Sequence, residues 1–174
     1  MKNNPNNIYL VGMMGSGKSV TGKALAALLD AAFVDLDAAI EEEQARAISE
    51  IFAEFGEPYF RKLEATILEY FSLQSGQVIA TGGGIVLREE NVRCMKNTGT
   101  VVLLKASAET LWQRVRYSQD RPLLNKPDPL GTLRQILDDR EDFYQKACDF
   151  AVVTDGKIAE DVAEEIREHL RSMK

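Results

Sequence analysis

The octapeptide "GMMGSGKS", Gly12 to Ser19, follows the apolar run "IYLV" and leads into a stretch of helical periodicity. It matches G-x-x-x-x-G-K-[ST] in the strand-to-helix setting that pattern needs to be meaningful. Gly12, Gly15 and Gly17 let the backbone turn tightly and aim its N–H groups at phosphate oxygens, and the helix N-terminus adds a favourable dipole. Lys18 then reaches the β- and γ-phosphates as a compact charge, and the Ser19 hydroxyl is placed to ligate Mg²⁺. The motif predicts a nucleoside triphosphate site but does not separate a small-molecule kinase from an ATPase or a GTPase switch. The sequence has no N-K-x-D or other guanine-reading signature, which favours ATP.

A strand feeding such a loop belongs in a parallel sheet, and the rest of the chain supplies one. Short apolar bursts at 8–11, 33–36, 77–81, 100–104 and 150–153 alternate with helical patterns at about 18–29, 38–54, 58–73, 89–97, 108–117, 130–146 and 158–171. This alternation predicts an α/β fold, with strands covered by helices on both faces. The 174 residues suit one domain, without repeats or linkers. The stretch 118–129, with three prolines, is expected to be a functional loop over the site.

The net charge of −6 argues against a nucleic-acid-binding surface. An anionic ligand must therefore be held by local basic groups, which makes arginine placement informative. Cys94 and Cys148 lack metal-ligand or redox spacing and are expected to be reduced thiols. No signal-peptide pattern or apolar run of about 20 residues is present, so a cytoplasmic protein without membrane association is expected.

"FVDLD" puts Asp35 and Asp37 two positions apart; on a strand both face one side, toward the crevice at the carboxyl edge of the sheet. Asp35 is expected to serve Mg²⁺, and Asp37 to orient an acceptor hydroxyl and take its proton. The alternative is that Asp37 caps the following helix. In "GEPYFRKLE", Arg61 and Glu64 are three apart; this is either an ordinary ion pair or a carboxylate-binding guanidinium steadied by Glu64. "ATGGGIV" places Gly82, Gly83 and Gly84 after a strand, where bare backbone can approach a ligand. "DRPLL" puts Arg121 in the proposed flap, and "DDREDFYQKA" puts Arg140 on a helix, facing substrate or merely paired with neighbouring acids. His169 reads as a solvated side chain, and Trp112 and Met95 as packing residues.

Taken together, "GMMGSGKS", "FVDLD", "ISEIFAEFGEPYFRKLE", "TGGG", "RPLL" and "REDFYQKA" resemble the shikimate kinase family in order and spacing, over nearly the whole chain. The resemblance implies a P-loop NTPase fold of the nucleoside-monophosphate-kinase-like type, with a five-stranded parallel sheet ordered 2-3-1-4-5. It implies a substrate region at about 36–64, a lid at about 116–129, and ATP-dependent phosphorylation of the shikimate 3-hydroxyl on the route to chorismate. By position, ATP would be bound by Gly12, Gly15, Ser16, Gly17, Lys18, Ser19, Val20, Arg114 and Arg121, with Arg114 stacked on adenine. Shikimate would be bound by Asp37, Arg61, Gly83 and Arg140; one Mg²⁺ would sit at Ser19 and Asp35; Lys18, Asp37 and Arg121 would carry the catalysis. Phe52 and Phe60 correspond to walls of the substrate pocket or to core. A monomer is expected, with ATP and shikimate as its only partners. "TDGKIAEDV" departs from the family by lacking a proline that flanks adenine in some members, which leaves the second adenine contact unassigned. A kinase for another polyol acid such as gluconate, and a nonenzymatic nucleotide-dependent switch, are the alternatives.

Overall fold

The computed structural model describes residues 7–117 and 126–173. Five strands, β1 (Asn7–Val11), β2 (Ala32–Asp35), β3 (Gln77–Ala80), β4 (Gly99–Lys105) and β5 (Phe150–Val153), form one parallel sheet in the order β2-β3-β1-β4-β5. The helices are α1 (Lys18–Leu29), α2 (Leu36–Gln44), α3 (Ile48–Ser72), α4 (Glu89–Thr98), α5 (Ala108–Val115), α6 (Pro129–Ala147) and α7 (Ala159–Ser172). A 3₁₀ turn at Ile85–Leu87, not anticipated from the sequence, follows the three glycines.

Alternation along the strands decides which helices cover which face. Leu10, Val78, Val102 and Val152 point to one side, where they pack with Leu25 and Ala26 of α1 and Val162, Ala163 and Ile166 of α7. Tyr9, Val11, Ile79, Val101 and Leu103 point to the other, against Ile67 and Leu68 of α3, Met95 of α4 and Tyr144 of α6. Both faces are therefore dry, as the continuous apolar strands require. A smaller cluster of Met13, Leu111, Val115 and Leu133 packs the phosphate loop against α5 and α6.

The sheet order places the carboxyl ends of β1 and β3 side by side, with Leu10 opposite Ala80. One step beyond, the Thr81 N–H and hydroxyl both donate to the Leu10 carbonyl, at 3.1 and 2.9 Å. The loops leaving these two strands thus start from a fixed separation.

The sequence pattern misplaces one break. In place of one helix over 38–54 there are two, because α2 ends at Ala45, which adopts a left-handed conformation with φ 51. The Ala45 and Arg46 N–H groups close on Glu42 and Glu41 carbonyls in a terminating turn usually built on glycine. α3 then runs on through Gly56, whose φ of 78 and ψ of 173 interrupt it just before Pro58. The expected boundary near residue 57 survives as a kink.

Candidate active site

The phosphate loop closes the turn between β1 and α1. Gly12 has φ 148, and a Cβ there would stand 2.6 Å from the Leu104 carbonyl oxygen, so neither backbone nor space admits a side chain. Gly17, with φ 91, is the N-cap of α1. Lys18 folds back, its ammonium donating to the Gly12 and Met13 carbonyls at 2.8 and 3.0 Å. The Ser16 hydroxyl is buried without a hydrogen-bond partner, an unsatisfied polar atom inside the cradle.

The loop opens on a cleft of about 430 Å³ whose lining includes Lys18, Ser19, Val20, Asp35, Asp37 and Gly83. Nucleotide and acceptor residues predicted from separate segments thus share one cavity. The local structure of "FVDLD" differs from the strand expected. β2 ends at Asp35, which is the N-cap of α2, its Oδ1 accepting the Asp37 and Ala38 N–H groups at 3.1 and 3.3 Å. Asp37 lies in the first helical turn. Both carboxylates reach the cleft, but through a capped turn and not through strand alternation, and the capping residue is Asp35, not Asp37.

Capping engages one oxygen of Asp35 and leaves the other for Ser19, whose hydroxyl donates to Oδ2 at 2.5 Å. A hydroxyl and a carboxylate oxygen in contact at the mouth of a phosphate cradle suit a hard, oxygen-seeking cation that completes its shell with water and phosphate. No cluster of three or more His, Cys, Asp or Glu side chains able to hold a metal by themselves occurs among the described residues. The donor set therefore fits Mg²⁺ arriving with a nucleotide.

Arg61, in α3, does not line this cleft; its guanidinium donates to Glu64 at 2.9 Å and to Glu57 at 3.1 Å. Its side chain is 17% exposed whereas that of Glu64 is fully buried. Burial pushes the Glu64 carboxyl above its usual range and Asp37 adds to the rise, against the opposing pull of Arg61 and Arg140. Burial works to lower the Arg61 pKa, but Glu64 and Glu57 outweigh it and the net shift is upward. One Glu64 oxygen faces Arg61 and the other has no partner. The pair is thus more than a surface contact between residues three apart, and it holds the guanidinium in one orientation.

The three glycines serve this pair. None of Gly82, Gly83 and Gly84 has a positive φ. A Cβ on Gly82 would stand 2.5 Å from Glu64 Oε1 and 3.1 Å from Asp37 Oδ1, and one on Gly84 would stand 2.6 Å from Arg61 Cζ. Gly83 has room for a Cβ, 3.5 Å from the Met14 nitrogen and 3.7 Å from Arg140 Nη1. Close approach of side chains, not backbone freedom, explains the flanking two.

Arg140 of α6 sits beside Gly83 and within electrostatic reach of Tyr144 and Glu64, next to the cleft but not among the residues that line it. Arg114 of α5 donates to the Gly15 carbonyl at 3.1 Å and to the Thr154 hydroxyl and carbonyl at 3.0 and 2.9 Å, tying α5 to the phosphate loop and to the exit of β5. In place of the missing proline, Asp155 accepts from the Ser107 and Thr110 hydroxyls, both at 2.6 Å, which hold its carboxyl down to about 2. Phe60 is buried and Phe52 half-buried against the same core, their ring centroids 4.6 Å apart and tilted by 35°. Arg121 and most of the proposed lid lie outside the described residues. Thr81 and Tyr144 were not singled out from the sequence; Tyr144 falls four residues after Arg140, the spacing that puts two side chains on one helix face.

A phosphate cradle at the end of the central strand of a 2-3-1-4-5 parallel sheet, sharing its cleft with a carboxylate and flanked by oriented guanidinium groups, defines a small-molecule kinase class within the P-loop NTPase-like folds. The shikimate kinase family model matches residues 14–171. The shikimate kinase of Symbiobacterium thermophilum is 45% identical over 167 residues, covering 95% of this chain and 96% of that one. A solved structure of shikimate kinase from Acinetobacter baumannii in complex with shikimate superposes with a TM-score of 0.94 at 36% identity, covering 97% of this chain and 94% of that one. The Aquifex aeolicus shikimate kinase gives 0.84 at 37% identity, over 95% and 96%. The chain belongs to the shikimate kinase family.

Proposed function

We propose that this protein transfers the γ-phosphoryl group of ATP to the 3-hydroxyl of shikimate, giving shikimate 3-phosphate and ADP for aromatic amino acid synthesis through chorismate. The observation that carries this is the shared cleft, in which Lys18 and Ser19 of the phosphate cradle stand with Asp37 and Gly83. Membership of the family and the likeness to a shikimate-bound relative support the same substrate.

In this mechanism the acceptor oxygen attacks the γ-phosphorus, the bond to the β,γ-bridging oxygen breaks, and that oxygen leaves on ADP. Asp37 orients the hydroxyl and receives its proton. The transition state is loose, with charge spread over the transferring oxygens, so a weak base suffices and positioning dominates. Lys18 exchanges its loop carbonyls for β- and γ-phosphate oxygens. Arg61, steadied by Glu64, and Arg140, beside Gly83, grip the shikimate carboxylate and turn the 3-hydroxyl toward the phosphate. Gly12, Gly15, Ser16, Gly17 and Val20 line the triphosphate, Arg114 the adenine, and Arg121 contributes charge to the transferring group. Ser19 and Asp35 would hold one Mg²⁺, which would neutralise phosphate charge when bound with ATP. The whole of 1–174 acts as one kinase domain, with a substrate region at about 36–64 and a lid at about 116–129, as a monomer in the cytoplasm. No helix among the described residues is long and apolar enough to cross a membrane.

The test is ADP release measured with shikimate, with gluconate and without acceptor. Shikimate-dependent release well above both controls is expected; equal rates in all three would refute the assignment.

A further inference from the structure

Tyr144 is the largest buried polar side chain near the cleft for which the mechanism above has no use. Its ring is 1% exposed, within the core that α6 shares with β3 and the 3₁₀ turn. Its hydroxyl donates to the Gly83 carbonyl at 2.5 Å and approaches the Met13 sulfur at 3.8 Å. The Arg140 guanidinium, one helical turn earlier, lies against the same hydroxyl. One oxygen atom is thus in touch with the loop after β3, the loop after β1 and one arginine of the acid site.

We infer that Tyr144 is a positioning residue for the acid substrate, acting through Gly83 and Arg140. Two geometric effects follow from the single hydroxyl. Donation to the Gly83 carbonyl fixes the plane of the Gly83–Gly84 peptide; in a trans peptide the Gly84 N–H is antiparallel to that carbonyl, so it is fixed as well. The same oxygen keeps its lone pairs within electrostatic reach of the Arg140 guanidinium, which stands beside Gly83. Gly83 lines the cleft and Arg140 stands beside it. A group that orders both organises the binding of one substrate without touching it. Burial raises the Tyr144 phenol above its ordinary value, so it remains a donor at working pH. The Tyr144 hydroxyl meets the phosphate loop at the Met13 sulfur, whereas Lys18 bonds the Gly12 and Met13 carbonyls.

The inference rests on shikimate being the acid substrate. The test is Tyr144→Phe in the full chain, which keeps the ring in its packing and deletes only the hydroxyl. Steady-state kinetics are run with shikimate varied at saturating ATP and then with ATP varied at saturating shikimate. Shikimate affinity is also measured by calorimetry without nucleotide. The expected result is a roughly ten-fold rise in KM for shikimate and in its dissociation constant, with kcat and KM for ATP held within about two-fold. A purely structural role would lower kcat and raise both KM values together, which would overturn the inference, as would an unchanged KM for shikimate. If the unaltered protein shows no shikimate-dependent turnover, the functional assignment falls and this inference with it. Normal turnover in the unaltered protein with an indifferent Tyr144→Phe variant overturns the inference alone.

Discussion

Gly84→Ala isolates the role of the Arg61 guanidinium better than any change to Arg61 itself. Gly84 sits at φ −101, ψ 6, where alanine is tolerated, so the substitution adds a methyl group without backbone strain. That methyl would stand 2.6 Å from Arg61 Cζ. Carbon atoms settle about 3.5 Å or more apart, so the guanidinium must retreat by roughly 1 Å. Its place is set by bonds to the buried Glu64 at 2.9 Å and the exposed Glu57 at 3.1 Å. A retreat of that size stretches the Glu64 bond past useful geometry and misaligns the carboxylate fork. Displacements of about 1 Å in a positioning group are worth up to about 100-fold. We therefore expect kcat/KM for shikimate to fall about 10- to 100-fold, some 1.4–2.7 kcal/mol of transition-state binding, with KM for ATP unchanged. The assay is coupled ADP release with each substrate varied in turn. Thermal unfolding supplies the steric contrast, since a methyl on Gly83 would meet nothing nearer than 3.5 Å and should leave Tm in place while Gly84→Ala lowers it. A Gly84→Ala enzyme with kcat/KM for shikimate within about two-fold of the parent would refute the claim that this glycine makes room for Arg61.

Asp37→Asn keeps the shape but loses the base, and should cut kcat by about 10²–10⁴-fold while fluorescence-monitored ATP binding persists; near-normal turnover would remove Asp37 from its role. Arg61→Lys replaces a planar fork by a point charge and is expected to weaken shikimate binding by about ten-fold or more in calorimetry, leaving ATP affinity alone. Asp155, held down to about 2 by Ser107 and Thr110, has a folded pKa below its unfolded one. It therefore stabilises the fold above about pH 4, and the benefit disappears as pH falls through 2. The Tm difference between parent and Asp155→Asn should accordingly be present at pH 7 and vanish toward pH 2; a difference that does not vary with pH would contradict this.

The phosphate loop was fully legible because its residues act locally: pattern, strand and helix are contiguous, and the geometry follows from the motif. The strand order and the roles of Arg61 and Arg140 came from resemblance, since no periodicity says which strands are neighbours. The break at Ala45 was invisible because alanine in a left-handed turn carries no compositional mark, and the chain instead caps α3 with Glu41 and Glu50 side chains. "FVDLD" was assigned to strand alternation because its apolar residues look continuous, yet Asp35 ends the ladder by capping α2. The glycines at 82 and 84 read from the sequence as bare backbone open to a ligand, whereas what crowds them is Glu64 and Arg61, which arrive from eighteen or more positions away in the chain. Tyr144 could have been suspected from its spacing to Arg140, but its partners on two other loops lie beyond any local pattern.

Thr81 clasping the Leu10 carbonyl makes the two central strands a gauge block. The phosphate loop and the glycine loop leave neighbouring strands of one sheet, whose spacing of about 4.8 Å is among the stiffest dimensions a polypeptide offers. Both loops are thereby hung from a common datum at the centre of the sheet.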